Sequence, residues 1–263
     1  MSPLPRFNFP PVEEVVIGFQ FNAQGFLPTH FGLFYERVRS HYPSVQTLPA
    51  VSTVPGGLPF AFLGGSQWPR VLFVAADDCS LIQLQTDRLY FNWRRKPHKP
   101  EYPHYEQVRE KFGEVYTNFT EFAKSEFGVC APRVSEIIYV NQITQQNSGF
   151  GQDLDIGGVF RAWNSDVGPE WPHAVKELAF NAQYPLVKAE GTALEGVLTV
   201  NMTSGRDPQG SPVARLEIGA SGNINDASTD AVLAFHDLGH AAIVNAFAAI
   251  TSDEAHQKWG RYQ

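Results

Sequence analysis

Between Tyr105 and Phe122 the large residues Tyr105, Val108, Phe112, Val115, Tyr116, Phe119 and Phe122 recur at helical spacing. That rhythm lines them along one face of a long helix that Gly128 stops, and a face carrying so many rings has to be covered. Strands supply the cover. Glu13 to Phe21 alternates Val15, Ile17, Phe19 and Phe21 against Glu14, Val16, Gly18 and Gln20, the period of a strand with one buried face. Val71 to Ala75 and Leu81 to Arg94 read as two further strands joined by a turn at 76–80, an antiparallel hairpin. In the second of these Leu89, Phe91 and Trp93 share one face. Arg88, Tyr90, Asn92 and Arg94 share the other, toward solvent or a second layer. Val134 to Ile143 completes the set.

A shorter helix precedes the hairpin, with Thr29 as its cap, Phe31, Phe34, Tyr35, Val38 and Tyr42 on its inner side and Pro43 at its end. From Ser44 to Gln67 the chain turns rich in Pro, Gly and Ser and reads as a long surface loop, a candidate for touching a partner. The first 143 residues thus run strand, helix, strand, strand, helix, strand. The fold class expected is α+β: a mostly antiparallel sheet covered on one face by long amphipathic helices.

The later residues are less regular. Val159 to Trp163 suggests a short strand, Trp171 to Phe180 a helical turn or strand entry, and Leu194 to Asn201 with Val213 to Gly219 a hairpin around a loop at 203–211. A last long helix runs from Thr229 to about Ile250, and Thr251 with Glu254 marks a capping box for one more turn. The division expected is 1–145 and 146–263, two α+β halves packed together or one domain, compatible with a diverged duplication that no residue-level repeat carries.

Composition narrows the class of protein. With 263 residues, 43% of them hydrophobic, the chain can bury a large core, and a net charge of −7 opposes phosphate backbones and anionic membranes unless a basic patch is local. Its two cysteines, Cys79 and Cys130, have no disulfide or zinc spacing. Met1 to Pro11 holds four prolines and no signal-like apolar run, and no stretch reads as a membrane span, so a cytoplasmic protein is expected.

Three segments carry a family likeness: Pro10 to Val16; Asp87-Arg88-Leu89-Tyr90-Phe91-Asn92-Trp93-Arg94 followed by Tyr102 to Glu106; and the end of the terminal helix, Ile250-Thr251 through Trp259-Gly260. In these the chain resembles a sporadically distributed, uncharacterised bacterial family of about this length. The resemblance implies a bacterial cytoplasmic protein of a kind carried on mobile or defence-related loci. It brings no activity or catalytic residue with it.

Four patterns could carry chemistry. His236 and His240 stand one turn apart on a helix, as zinc ligands do, but His236 falls within the apolar stripe Val232, His236, Gly239, Ile243, Phe247 and Ile250, and the only further ligand is His256 on a separate turn. Arg94, Arg95, Lys96 and Lys99 sit beside Trp93 and Tyr102, basic and aromatic residues interleaved as in single-strand binders. Asp77-Asp78 and Asp153-Leu154-Asp155 pair carboxylates in turn-like sequence, where Asp is at home for backbone reasons. The Gly pairs fit no phosphate loop, and neither Cys is tied to a His by a local pattern. No cofactor is expected.

The function expected is therefore a non-enzymatic protein-interaction module, a sensor or accessory subunit of a bacterial defence or toxin-related system, with another protein as partner and self-association open. The alternative is a nucleic-acid binder using Arg88, Tyr90, Asn92, Arg94, Arg95, Lys96 and Lys99. A metal-dependent hydrolase using His236 and His240 comes third.

Overall fold

The computed structural model describes residues 3–22, 25–51, 68–128, 130–148, 155–161, 163, 177–187 and 193–263. In chain order the elements are β1 (Val12–Asn22), α1 (Thr29–Val38), β2 (Ser44–Leu48), β3 (Arg70–Val74), β4 (Ser80–Gln85), β5 (Arg88–Arg94), α2 (His104–Glu126) and β6 (Ala131–Thr144). There follow α3 (Gln145–Ser148), α4 (Ile156–Val159), β7 (Ala179–Val187), β8 (Ala193–Arg206), β9 (Pro212–Asn223), α5 (Thr229–Ile250) and α6 (Asp253–Lys258). Among the described residues the nine strands form one sheet in the order β2-β3-β4-β5-β1-β6-β9-β8-β7. The pairs β2–β3, β3–β4, β4–β5, β7–β8 and β8–β9 are antiparallel. The chain is thus a mixed α/β protein built on a large antiparallel sheet.

Several expected elements change shape. The single strand expected from Leu81 to Arg94 is two strands, β4 and β5, folded back at Thr86 and Asp87 so that Leu84 pairs with Leu89 and Ile82 with Phe91. Asp87 makes the reversal: its carboxylate accepts from the Gln85 amide and from Arg88, while its carbonyl accepts from the Phe21 N–H. The expected loop from Ser44 begins instead with β2, and its remainder at 52–67 lies outside the described residues. Val159 belongs to a helical turn capped by Asp155, whose Oδ1 accepts from the Gly158 N–H, rather than to a strand. Thr29 is the first residue of α1 and makes no cap. Ser252, not Thr251, caps α6, because the Thr251 hydroxyl is spent on the Phe247 carbonyl.

The chain forms two compact units, each drawing on separated stretches of sequence. The first comprises Val16–Glu136 and Asn223–His236. Its core is aromatic. Phe19 and Phe21 of β1 meet Tyr116 and Phe119 of α2 at ring separations of 5.0 and 5.1 Å, and Phe34 of α1 bridges Phe73 of β3 and Phe119. Offset and edge-on pairs of this kind add about 0.5–1.5 kcal/mol each beyond the area they bury. His236 is fully buried in the same core, its Nε2–H donating to the Gly18 carbonyl at 3.1 Å and its ring edge-on to Phe112.

The second unit comprises Met1–Val15, Ile137–Gly222 and Asp237–Gln263. In β9 the even positions Ala214, Leu216, Ile218 and Ala220 are buried. Gly239 of α5 lies so close to this side that a Cβ would stand 2.6 Å from Ile137 and 3.2 Å from Ala220. By length and composition alone α5 could cross a membrane, which corrects the reading that no stretch approaches a span. Of its expected stripe, Val232, His236, Gly239, Ile243 and Phe247 are buried, while Asp230, Ala234, Asp237, Asn245 and Ala249 are exposed.

The N-terminal residues are tied to the C-terminal ones in this unit. Asn8 and Phe9 N–H groups donate to the Gly260 and Trp259 carbonyls, and Phe7 packs on Phe247, His256 and Trp259. His256 sits under this junction as a neutral ring. Its Nε2–H donates to Thr251 Oγ1 at 2.7 Å, and its Nδ1 accepts from Arg261 at 3.0 Å. Burial, then Arg261 and Arg161, push its pKa down, against a weaker opposing pull from Asp253. A histidine depressed in the fold binds its proton more readily when unfolded, so the stability it lends is present above the unfolded value of about 6.5 and is lost as pH falls through the folded value. The melting temperature should drop between pH 7 and pH 5, and His256→Gln should show a smaller drop over that interval. An equal drop in the variant would assign the acid sensitivity elsewhere.

Candidate functional site

β5 carries the residues singled out by sequence, and the pairing register shows what surrounds them. Two rows cross β2 to β5 on one side of the sheet, Ser44, Val74, Leu81, Asn92 and Gln46, Leu72, Gln83, Tyr90; beyond them Leu48 pairs with Arg70 and Gln85 with Arg88. Arg88, Tyr90 and Asn92 are at most 8% exposed, so this face of β5 is interior rather than solvent-facing. Arg88, Tyr90 and Asn92 each have a partner, Arg88 in Asp87, Tyr90 in Glu136 and Asn92 in Gln83. Gln83 donates to Asn92 at 2.7 Å and accepts from Arg70 at 2.8 Å. Glu136 of β6 accepts from the Tyr90 hydroxyl and from Gln20 of β1. Gln85 holds both the N–H and the C=O of Val51.

The electrostatics match a closed network. Burial first, and the Glu136 charge second, push the Tyr90 phenol well above its ordinary value, so it is a donor at any working pH and never a base. Burial works against the Arg88 charge, but the two-pronged contact to Asp87 outweighs it and the guanidinium stays above its ordinary value. Gln20, Arg70, Gln83 and Glu136 escape a reading of the sequence because their approach depends on strand order, which no local pattern encodes.

The basic segment lies against the β3–β4 turn. Arg94 and Lys96 both pair with Asp78, and Lys99 pairs with Asp77 at 3.0 Å. Arg95 donates to the Pro100 carbonyl, and His98 to the Asp77 carbonyl. Trp93 is buried and packs on Tyr102 at 5.2 Å. Thus the two carboxylates of one sequence pattern neutralise the cations of another. Lys96 and Arg94 hold the Asp78 carboxyl below its ordinary range; for Asp77 burial opposes ionisation, and the Cys79 N–H with Lys99 outweighs it. Asp153 lies outside the described residues, and Asp155 is a helix cap.

The remaining chemistry-bearing groups are also engaged. His240 Nδ1 lies 3.0 Å from the Tyr139 hydroxyl, His236 is spent on Gly18 and His256 on Thr251. Among the described residues no three His, Cys, Asp or Glu side chains converge as a metal site would require. The fold does bring Cys79 within 3.7 Å of His98, a pairing that 19 residues of separation hide from the sequence. The thiol is buried, its pKa is raised by burial and by Asp77, and the facing His98 nitrogen carries its proton toward Asp77, so the pair is not an activated nucleophile. In the second unit an open groove of about 610 Å3 lies along β7, β8 and β9, and there Asn181 bonds Asn201 while Arg215 pairs with Glu217.

The sheet edges differ from one another. Among the described residues β7 pairs only with β8, and it carries Pro185 followed by a register shift before Val187, both features that discourage further pairing. At the other edge β2 pairs, among the described residues, only with β3. All five of its residues are exposed, Val45 at 47% and Leu48 at 41%, and it has no charge, proline or bulge within it.

A comparison with protein-family models finds none that matches the chain, and a search among curated proteins likewise finds no match.

If Asp77 and Asp78 neutralise the basic segment, Asp77→Asn with Asp78→Asn should uncover it. At low salt the double variant should bind an oligo-dT about tenfold more tightly than the parent chain, with a steeper loss of binding as salt rises. Unchanged binding in a fluorescence-anisotropy titration would mean that Arg94, Lys96 and Lys99 are not masked by these carboxylates.

Proposed function

We propose that this protein is a non-enzymatic protein-interaction module that accepts an extended segment along the open edge of β2. One observation carries the reading: β2 is an exposed, uncharged edge strand without the devices that the opposite edge carries. Such an edge presents alternate N–H and C=O groups to any strand laid beside it, and Val45 and Leu48 offer apolar contacts on either side. Five residues is an ordinary strand length, enough for a short ladder. We also read the long helices as covering one face of the sheet. Phe19 and Phe21 against α2, Phe73 against α1, and Ile137 and Tyr139 against α5 support this.

The nucleic-acid reading ranks second, because Tyr90 and Trp93 are buried and three of the cations face carboxylates. A hydrolase using His236 and His240 ranks third, since each ring already serves a hydrogen bond. A place in a bacterial defence or toxin-related system rests on the sequence resemblance alone.

A photo-reactive amino acid at Val45, introduced in the source cells, tests the reading. It should give one dominant adduct, to another protein or to the chain itself. The same probe at Tyr184 in β7 should give none, and Thr47→Pro, which removes an edge N–H, should abolish the Val45 adduct. Equal labelling at the two edges, or an adduct indifferent to Thr47→Pro, would refute strand addition at β2.

A further inference from the structure

We infer that the strand received by β2 is β2 of a second copy of this chain, paired antiparallel about a two-fold axis through Gln46. The inference rests on the reading of β2 as an interaction edge and names its occupant. A two-fold pair sets each residue against its mirror position, so the strand must be compatible with its own reverse. Pro43-Ser44-Val45-Gln46-Thr47-Leu48-Pro49 meets that condition. Val45 faces Thr47 of the copy, a pair of β-branched residues of the kind that stabilises neighbouring strands.

Val45 and Thr47 lie on the side of the sheet that carries Phe73 and Val71, their partners in β3. Gln46 faces itself, and an amide can donate to and accept from another amide. Ser44 faces Leu48, and no charge in the strand is brought against its like. The prolines, which lack an N–H, stand three residues to either side of Gln46 and close the ladder at equal distances. Symmetry also fixes where assembly stops. Among the described residues each chain offers one such edge, because Pro185 and the register shift obstruct β7, so the product is a closed pair rather than a fibre. A five-residue ladder with exposed Val51 and Trp68 beyond its Leu48 end falls short of the roughly 800 Å2 per partner of stable complexes, so the pair forms and dissociates with concentration.

The test uses the full chain with Gln46→Cys, its native Cys79 and Cys130 being buried. Mates on the axis stand within disulfide reach, whereas Ser44→Cys lies far from its own copy, so mild oxidation should cross-link Gln46→Cys about tenfold faster. In sedimentation velocity the unaltered chain should move toward twice its mass as concentration rises, and Gln46→Lys, which sets two ammonium groups face to face on the axis, should remain single. A chain that stays monomeric throughout, with both cysteine variants cross-linking alike, overturns the second copy as occupant. The edge reading outlives that failure if the Val45 probe still labels a different protein in a manner sensitive to Thr47→Pro; if that label is missing too, both fall.

Discussion

At Gly18, β5 comes so close to β1 that a side chain there would overlap the Leu89 carbonyl oxygen and stand 2.8 Å from the Tyr90 Cα. The absent side chain organises much of the first unit. On the neighbouring positions Phe19 turns its ring to Tyr116 and Phe112 of α2, while the Gly18 carbonyl accepts from His236 of α5. Two adjacent strand residues thereby join β5, α2 and α5. Tyr90, brought in by the same approach, donates on the opposite side of the sheet to Glu136, which also accepts from Gln20.

That opposite side is polar yet interior, a setting in which buried polar side chains cost free energy unless they are paired. The amides of Gln83 and Asn92, the Arg88–Asp87 pair and the Tyr90–Glu136–Gln20 contact meet the requirement within the fold. Outside it, the Asp77-Asp78 turn faces the cations of the 94–99 segment. Polar and charged residues that resemble a binding surface in sequence are therefore occupied with one another. The edge of β2 is different, since its exposed backbone has nothing among the described residues to pair with beyond β3.

What could be read in the sequence was periodic. The alternation from Val15 to Phe21 and the helical stripes of α2 and α5 reappear with the expected residues buried, except Ile250, which is half-buried, because burial on one face imposes its period directly on the chain. Where a two-residue turn interrupts alternation without Gly or Pro, as at Thr86-Asp87, the sequence reads as one strand; the slip of phase from Leu84 to Leu89 was the available signal. β2 was hidden for a different reason. An edge strand exposed on both faces has no apolar alternation to display, and the prolines around it look like loop. The pairings of Asp78 with Arg94 and Lys96, and of Tyr90 with Glu136, depend on topology and leave no local trace.

Amide hydrogen exchange of the chain at low concentration bears most directly on whether β2 is an open edge. Exchange along Val45 to Leu48 should be much faster than along Val71 to Val74 in β3, and should slow as protein concentration rises. Strong protection of β2 equal to that of β3, independent of concentration, would show that the edge is already covered within the chain and would contradict the interaction reading.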